Sequence, residues 1–427
     1  MSERIYRDPI HNIIRVETNS PEGKLYVDLI DTPEFQRLRR IRQLGLANFA
    51  YQGAEHSRFS HSLGVMHLSS RILERLSQKY KISTEDCVAV QAAALLHDVG
   101  HGAFSHVIEP ILNFHHEDFT VEAVTSGETE ISARLSNYSA DLPLRISEII
   151  RGEFRPSALG QIVSSQLDAD RMDYLLRDSL MTGAKYGNFD LEWVIKSIEI
   201  DELNDRIYIS APGIYAVEEY LQARYYMFRQ VYFHRTLRAV EVMLRAIFNR
   251  VLELFKSGDV WTAPGSAFEE VISGERLTLE RQFRMDDSDV IFHIKQWQFS
   301  NDGTLSDLSS RFINRKIFKA IDLDMNEAQR AEYVHAAREL VKGKGYNPDF
   351  YFAEDSAGDV PYNFYSQEAL NHGKLIFVER GTSNKTIQEI SEVSAAVRGL
   401  QKSYEIRRIC FPHELLKPLK KLYREMV

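Results

Sequence analysis

Apolar residues in the first half of the chain recur at the three- and four-residue spacing of helices, and short breaks at Gly or Pro separate the segments. One segment begins at Thr32, which suits a helix N-cap, and continues with Pro33, which suits the first helical position. This start predicts a helix that ends at about Gly45. A second segment, from Asp86 to Leu96, is apolar nearly all round, which predicts a helix buried inside a domain. The pattern therefore predicts a mainly α core.

Alternating apolar and polar residues mark a change of structure in the middle of the chain. Two short alternating runs in residues 196–210 flank Asn204 and Asp205, which predicts a β-hairpin. A long helix is predicted after the hairpin, from Ala216 to Phe255. Residues 256–325 are mixed in composition, and we expect further helices there, joined by long connections.

The pattern changes again after Gly343, where short β-like runs alternate with helical stretches at 386–402 and 413–426. The β-like runs occupy residues 350–354, 362–365, 374–379 and 407–412. This alternation predicts a small α/β unit at the end of the chain. We therefore expect two domains, a helical one at 1–325 and a small α/β one at 326–427.

Composition adds that the chain is an ordinary globular protein, because 427 residues with 44% hydrophobic content can bury a large core. The first residues carry no signal-like apolar region, and no run approaches the roughly eighteen apolar residues of a membrane span, so a cytoplasmic location is expected. Cys87 and Cys410 lie far apart and outside any C-x-x-C pair. Any metal is therefore expected to be held by His and carboxylates.

The formal net charge of −9 disfavours a broad electrostatic grip on nucleic acid, although local basic stretches can still contact phosphates. Basic residues at helical spacing form two such stretches, namely Arg37, Arg39, Arg40 and Arg42, and Arg224, Arg229, Arg235 and Arg238. Each stretch is equally well explained as a solvated helix face.

Histidines are concentrated in two short segments, residues 58–67 and 95–106, which together hold five of the fourteen in the chain. A lone His is more often a hydrogen-bonded core residue than a ligand. Three separated elements nevertheless offer ligands here: His61, then His97 with Asp98 at the end of the predicted buried helix, then an acidic run at 167–174. Imidazole with carboxylate suits Mn, Fe, Zn or Ni, and also Mg where carboxylate dominates.

The segments RFSHSLGV (58–65), LLHDVGHGAFSH (95–106) and DADRMDYLLRD (168–178) resemble the HD-domain deoxynucleoside triphosphate triphosphohydrolases. The resemblance also covers DPIH at 8–11, DTPEFQRLRRIRQLG at 31–45 and YFHR at 232–235, with its main motifs within 31–240. It implies an HD-domain helical core with a small β-hairpin and a small α/β C-terminal unit. It further implies metal-dependent attack at the α-phosphate of a dNTP, releasing deoxynucleoside and tripolyphosphate.

Two sets of reacting residues follow from this resemblance. The metal ligands that it implies are His61, His97, Asp98 and Asp170. The catalytic residues that it implies beside the phosphates are His101, His106, Glu109 and His116, with His106 protonating the leaving 5′ oxygen. Glu109 stands where the family has an aspartate, which keeps the charge on a longer arm.

The resemblance also implies a substrate site. Phosphate contacts are expected from Arg58, Arg171 and Arg224, contacts to the 3′-hydroxyl from Gln43 and Asp178, and sugar packing from Tyr174 and Tyr232. A tyrosine against C2′ would exclude a ribose hydroxyl and so select deoxynucleotides. Arg171 replaces a lysine of mammalian members, and Phe228 replaces a family histidine. Helix-core packing is the plainer interpretation of the aromatic residues.

An effector site is implied by Asp31, Gln36 and Arg39, which match positions that bind a GTP or dNTP activator between subunits. Such a site predicts a homo-oligomer, with a tetramer as the expected size, because an activator that bridges subunits couples binding to assembly. An ordinary helix surface explains these residues equally well, and Arg7 replaces an asparagine of that site.

Three other functions compete with dNTP hydrolysis. A phosphodiesterase or exonuclease acting on single-stranded nucleic acid would use the same metal and histidines, but it predicts a broad basic groove. Hydrolysis of an alarmone or a cyclic dinucleotide is disfavoured because the chain has HDVGH and no later GYP segment. A scaffold without activity predicts gaps in the ligand set, which is complete. The identity of the metal, the preferred base and the biological role stay open.

Overall fold

The computed structural model describes residues 3–112, 114–273, 277–359, 362, 375–381, 385–401 and 404–426. Helices dominate its first 257 residues, as the periodicity predicts. They are α1 (Pro21–Ile30), α2 (Pro33–Arg37), α3 (Arg58–Ser77), α4 (Thr84–Leu96), α5 (Ser105–Leu112), α6 (His116–Thr125), α7 (Glu130–Tyr138), α8 (Leu142–Arg151), α9 (Ser157–Gly160), α10 (Ala169–Thr182), α11 (Leu191–Ser197), α12 (Ile214–Met227) and α13 (Arg235–Ser257).

Further helices follow along the rest of the described chain. They are α14 (Ala267–Ile272), α15 (Leu279–Arg284), α16 (Asp287–Trp297), α17 (Gly303–Ile313), α18 (Glu327–Gly343), α19 (Pro348–Tyr351), α20 (Ile390–Val393), α21 (Ala395–Gly399) and α22 (Leu416–Met426). None of the helices in the described ranges combines the length and the apolar composition that crossing a bilayer demands.

Strands form three small sheets in the described part of the chain. They are β1 (Glu3–Asp8), β2 (Asn12–Glu17), β3 (Ile198–Asp201), β4 (Arg206–Ile209), β5 (Lys319–Asp322), β6 (Ala353–Asp359), β7 (Phe377–Arg380), β8 (Thr386–Glu389) and β9 (Tyr404–Phe411). The sheets have the strand orders β1-β2, β3-β4-β7-β8 and β5-β9-β6. All neighbouring strands are antiparallel except β4 and β7, which meet in parallel at Ile209 and Val378.

The buried centre of the helical part lies where α3 packs between α4 and α10. α4 begins at an N-cap, Ser83, whose side chain accepts from the amide of Asp86, and every residue from Ala92 to Leu96 is fully buried. This confirms the buried helix predicted from the continuous apolar run. The mainly α core, the hairpin at 198–209 and the α/β C-terminal unit are likewise confirmed.

Two predicted helices are shorter than their sequence patterns indicate. The helix that begins at Thr32 ends at Arg37 and continues as a single 3-10 turn to Arg40, because the next residues pair with the segment before α3. There the amide of Gln43 donates to the oxygen of His56 at 3.0 Å. The long helix predicted at 216–255 is interrupted by one π-helical turn at Phe228–Tyr232 and a break before α13.

The C-terminal predictions differ from the structure in their boundaries. Residues 386–389 form strand β8 rather than helix, because they pair along β7, and two short helices follow them. In the β-like run at 350–354, residues 350 and 351 end helix α19 and residues 353 and 354 begin β6. Residues 363–365 and 374 of two other runs lie outside the described residues. The division at residue 325 stays a prediction; β5 precedes it and pairs with β9 beyond it.

Candidate metal centre and active site

Three helix ends bring the predicted metal ligands together. His61 lies in the first turn of α3, His97 and Asp98 follow the last residue of α4, and Asp170 lies in the first turn of α10. The start of α10 is fixed by Asp168, whose side chain accepts from the amide of Arg171 at 2.8 Å.

The distances within this group suit a shared small ligand. Nε2 of His61 lies 3.0 Å from an oxygen of Asp170, and Nε2 of His97 lies 3.6 Å from the same oxygen. Asp98 lies 3.4 Å from Nε2 of His97 and 3.8 Å from Nε2 of His61. Ligand atoms of His61, His97 and Asp170 all lie within 4.8 Å of one another.

Both histidines are oriented with Nε2 toward the acids. Nδ1 of His61 donates to Asp173 at 2.8 Å, and Nδ1 of His97 donates to the oxygen of Ala94 at 2.9 Å. Nε2 of His97 is buried and makes no hydrogen bond within the described residues. A buried lone pair without a donor, beside two carboxylates, fits a divalent cation, and the mixed nitrogen and oxygen donors suit Mn, Fe, Zn, Ni or Mg.

The electrostatics of the group favour a cation. Burial lowers the pKa of His61, but hydrogen bonds to Asp170 and Asp173 outweigh it and raise that pKa to about 10. The pKa of His97 is also raised, since the charges of Asp98 and Asp170 outweigh its burial. In the absence of a metal His61 is therefore protonated near pH 7, with Nε2 facing Asp170. A divalent cation bound here would displace the proton on Nε2.

A second group, His101, Glu109 and His116, lies beside the first. The rings of His101 and His116 stack with centroids 3.6 Å apart and planes 16° apart. Glu109 lies 3.6 Å from Nδ1 of His101 and 3.1 Å from Nδ1 of His116. Stacked parallel rings direct their nitrogens side by side. The arrangement therefore suits two imidazoles held by one carboxylate better than it suits three ligands around a second metal ion.

Charge sets the protonation of this second group. Burial and the Arg58 charge lower the pKa of His101 to about 4, so this imidazole is neutral near pH 7. Burial opposes ionisation of Glu109, but hydrogen bonds to both histidines hold its pKa well below the usual range. The predicted general acid, His106, lies in α5, and its side chain lies outside the described residues.

The loop from Asp98 to Gly102 is held from two sides. A Cβ on Gly100 would lie 2.2 Å from the oxygen of His116, so only glycine lets α6 approach this closely. On the other side, Arg37 donates to the oxygens of Val99 and His101 at 3.3 and 2.7 Å. Arg37 is 1% exposed. For this residue the solvated-face interpretation of the basic stretch is therefore wrong.

The residues predicted to contact sugar form a connected group. The hydroxyl of Tyr232 donates to Asp178 at 2.7 Å, and Nε2 of His56 lies 2.8 Å from the other oxygen of Asp178. The rings of Tyr174 and Tyr232 lie edge to face with centroids 6.3 Å apart. Gln43 is linked to the group because its backbone amide donates a hydrogen bond to the oxygen of His56. Its Oε1 is buried without a hydrogen bond among the described residues.

The three arginines predicted to contact phosphate differ in their surroundings. Arg58 is 4% exposed and donates to Asp98 at 2.7 Å, so it lies at the metal group. Arg171 is paired with Asp168 at the start of α10. Arg224 lies over the ring of Phe228 at 5.3 Å.

The predicted effector residues are neighbours at the surface. Gln36 donates to the oxygen of Ile30 at 2.7 Å and accepts from Arg39 at 2.8 Å. Arg39 lies 3.5 Å above the ring of Phe59, and Asp31 is paired with Arg4 at 2.6 Å. These contacts bring the three residues close together at one surface.

A buried network behind the metal group was not predicted from the sequence. Asp173 accepts from His61, from His11 at 2.6 Å and from two nitrogens of Arg177, and Arg177 also donates to Asp8 at 2.7 Å. The sequence contains a signal for this network, because Asp8 and His11 belong to the DPIH segment and Asp173 lies one helical turn after Asp170. His56 was missed as well.

Comparison with known families agrees with this geometry. Residues 58–178 match the HD domain, and residues 189–260 match the HD associated region. The first match begins at Arg58 and ends at Asp178, so it contains both histidine groups.

Similar proteins extend the match over nearly the whole chain. The uncharacterized protein YwfO of Bacillus subtilis is 37% identical over 97% of this chain and 93% of its own length. A crystal structure of a phosphohydrolase from Bacteroides thetaiotaomicron superposes with a TM-score of 0.82 at 31% identity, covering 96% of this chain and all of that one. The deoxynucleoside triphosphate triphosphohydrolase SAMHD1 homolog of Dictyostelium discoideum is 31% identical over 60% of this chain and 51% of its own length.

Proposed function

Since the chain belongs to the HD-domain family of hydrolases, we propose that it is a metal-dependent triphosphohydrolase that converts a dNTP to deoxynucleoside and tripolyphosphate. The observation that carries the proposal is the position of Asp98, which lies 3.4 Å from His97 and 3.3 Å from His101. One carboxylate thus joins a group able to hold a cation to a group able to hold and move protons. A phosphoryl group at Asp98 would contact both.

The metal ligands of the proposal are His61, His97, Asp98 and Asp170. A cation held by them would polarise a phosphoryl oxygen and lower the pKa of a bound water. Arg58 would bind the same phosphate, because its NH1 is used by Asp98 while its buried Nε makes no hydrogen bond within the described residues. Arg171 and Arg224 would bind the remaining phosphates, where a planar guanidinium suits two oxygens at once.

Proton transfer is assigned to the second histidine group. Glu109 holds Nδ1 of His116 at 3.1 Å, which fixes the ring and leaves its Nε2 free to face a phosphate. His101, neutral near pH 7, would donate its ring N–H to a phosphate oxygen. His106 would protonate the leaving 5′ oxygen.

The preference for a deoxynucleotide rests on the group around Asp178. Asp178 and Gln43 would bind the 3′-hydroxyl, while the edge-to-face rings of Tyr174 and Tyr232 would pack on the sugar. A ring against C2′ leaves no room for a ribose hydroxyl. The similarity to a deoxynucleoside triphosphate triphosphohydrolase supports the same substrate class, over about half the length of that relative.

Regulation is a further part of the proposal. A GTP or dNTP effector would bind at Asp31, Gln36 and Arg39, where Arg39 and Phe59 offer a stacked cation and ring. Binding between subunits would couple the effector to a homo-oligomer, a tetramer in the proposed form.

Product analysis tests the proposed reaction. Purified protein with Mn²⁺ or Mg²⁺ is incubated with each of the four dNTPs, alone and in pairs, and with single-stranded DNA in parallel. The proposal predicts deoxynucleoside and tripolyphosphate in equal amounts, intact DNA, and loss of activity in the His97→Ala/Asp98→Ala variant. Shortened DNA with intact dNTPs would instead identify a nuclease.

A further inference from the structure

Four donors converge on the buried carboxylate of Asp173, behind the metal group. Oδ1 accepts from Nε2 of His11 at 2.6 Å and from Arg177 at 2.9 Å, while Oδ2 accepts from Nδ1 of His61 and from Arg177, both at 2.8 Å. The side chains of Asp173 and His61 are 0% exposed, and those of His11 and Arg177 are 2% and 1% exposed. Each oxygen of the carboxylate therefore accepts two hydrogen bonds, and the carboxylate cannot rotate without losing several of them.

His11 reaches this position from the N-terminal hairpin. It lies in the turn between β1 and β2, and the turn is held by Asp8, whose Oδ1 accepts from the amides of Ile10 and His11 at 2.9 and 3.0 Å. The other oxygen of Asp8 accepts from Arg177 at 2.7 Å. The hairpin turn and α10 are thereby joined through a single buried network.

We infer that Asp173 and His11 are positioning residues, which hold the ring of His61 with Nδ1 protonated and Nε2 directed at the cation. A carboxylate can only accept, so its bond to Nδ1 keeps a proton there and makes Nε2 the nitrogen whose lone pair a cation would bind. A carboxylate that orients a metal-binding histidine also makes the imidazole a stronger ligand. This inference rests on the metal site of the proposed function, and it gives the DPIH segment a role that the reaction alone does not.

Packing around Asp173 agrees with a fixed orientation. A Cβ on Gly64 of α3 would lie 1.9 Å from Oδ1 of Asp173 and 2.6 Å from Arg177. Only glycine therefore lets α3 approach this carboxylate, one turn after the helix has presented His61. α3 supplies both the ligand and the space for the group that orients it.

The alternative is that the network only stabilises the fold, and the chain offers a matched control. Asp355 of β6 is 5% exposed and accepts from two nitrogens of Arg238 at 3.1 and 2.6 Å, which is the geometry between Asp173 and Arg177. Asp355 contacts no member of the metal group among its described hydrogen bonds. Asp355→Asn thus removes an equivalent buried charge away from the site.

Metal affinity tests the inference without any use of substrate. The metal-free protein and its variants are titrated with Mn²⁺, and the free ion is measured by electron paramagnetic resonance. Asp173→Asn is expected to raise the Kd about 10- to 100-fold, because an amide has only one acceptor oxygen for four donors. Asp355→Asn is expected to lower thermal stability similarly and to leave the Kd unchanged.

Variants of His11 keep the test decisive if Asp173→Asn does not fold. His11→Gln retains an N–H donor and is expected to bind Mn²⁺ like the unaltered protein, whereas His11→Ala is expected to bind more weakly. Equal Kd values for His11→Ala and the unaltered protein, or equal shifts for Asp173→Asn and Asp355→Asn, would overturn the inference. Because the readout is metal binding, a protein that failed to hydrolyse dNTPs would refute the proposed reaction and leave this result standing.

Discussion

The carboxylate of Asp98 contacts residues of both histidine groups. One oxygen accepts from Arg58 at 2.7 Å, and the carboxylate lies 3.4 Å from His97 and 3.3 Å from His101. Burial alone would raise the pKa of Asp98, but the charge of Arg58 and the contacts with His97 and His101 hold it well below its usual range. The carboxylate is therefore ionised throughout the physiological range and is ready to bind a cation.

Gly64→Ala is the sharpest steric change at the residue scale. Its new methyl group would meet Asp173 and Arg177, both fixed by buried bonds, so the orienting carboxylate has to move. We expect Mn²⁺ affinity to fall about tenfold or more and stability to fall by about 1–3 kcal/mol. Gly303→Ala, where the added Cβ meets nothing within 4 Å, is the control. Unchanged Mn²⁺ binding in Gly64→Ala would show that the position of Asp173 is irrelevant to the metal.

Tyr232→Phe tests the sugar site. The change removes the hydroxyl that donates to Asp178, and a hydrogen bond to a charged group contributes about 1.5–3 kcal/mol. We expect kcat/KM for dNTPs to fall by about tenfold or more. Tyr333→Phe removes a comparable buried hydroxyl, bonded to Leu419 in the C-terminal unit at 3.1 Å, and is expected to leave kcat/KM unchanged. Equal kinetics for both variants would argue against a role of Tyr232 in substrate binding.

At the scale of elements, the site depends on how closely α6 approaches the loop after α4. Gly100→Ala would place a methyl group 2.2 Å from the oxygen of His116 and 2.4 Å from the amide of Thr120, so α6 has to shift. We expect kcat to fall by a larger factor than Mn²⁺ affinity, because His116 moves with α6, while His61 on α3 and Asp170 on α10 stay in place and His97 and Asp98 precede the changed residue. The opposite result, weaker metal binding with normal kcat, would contradict the separation of the two histidine groups.

The sequence predicts those elements best whose burial is visible in the chain itself. α4 is such an element, since its continuous apolar run can only be buried, and its cap is local. The helices predicted at 32–45 and 216–255 are interrupted because residues within them form hydrogen bonds to residues far away in the sequence. The amide of Arg42 donates to Asp287 at 3.0 Å, and Tyr232 turns toward Asp178. Neither partner is visible in a local pattern.

The candidate site follows the same rule. Residues within short motifs, such as His97 and His101, could be predicted because spacing and family resemblance both mark them. The role of His11 could not, since its partner Asp173 lies 162 residues further along the chain. Only the folded chain brings the hairpin turn against α10.

At the scale of the whole molecule, assembly is tested by light scattering with and without nucleotide. The proposed effector site predicts that GTP or a dNTP shifts the protein toward a larger oligomer and raises activity. Arg39→Ala is expected to abolish both effects and to retain Mn²⁺ binding, because Arg39 contacts Gln36 and Phe59 and is not a metal ligand. A single oligomeric state, unchanged by any nucleotide, would contradict the assembly part of the proposal.

The position of bond cleavage tests the central claim most directly. The protein is incubated with a dNTP in ¹⁸O-labelled water, and the products are analysed by mass spectrometry. Attack at the α-phosphate predicts one ¹⁸O atom in tripolyphosphate and none in the deoxynucleoside. Release of pyrophosphate with a deoxynucleoside monophosphate, or label in the deoxynucleoside, would show that the chain is not the triphosphohydrolase proposed here.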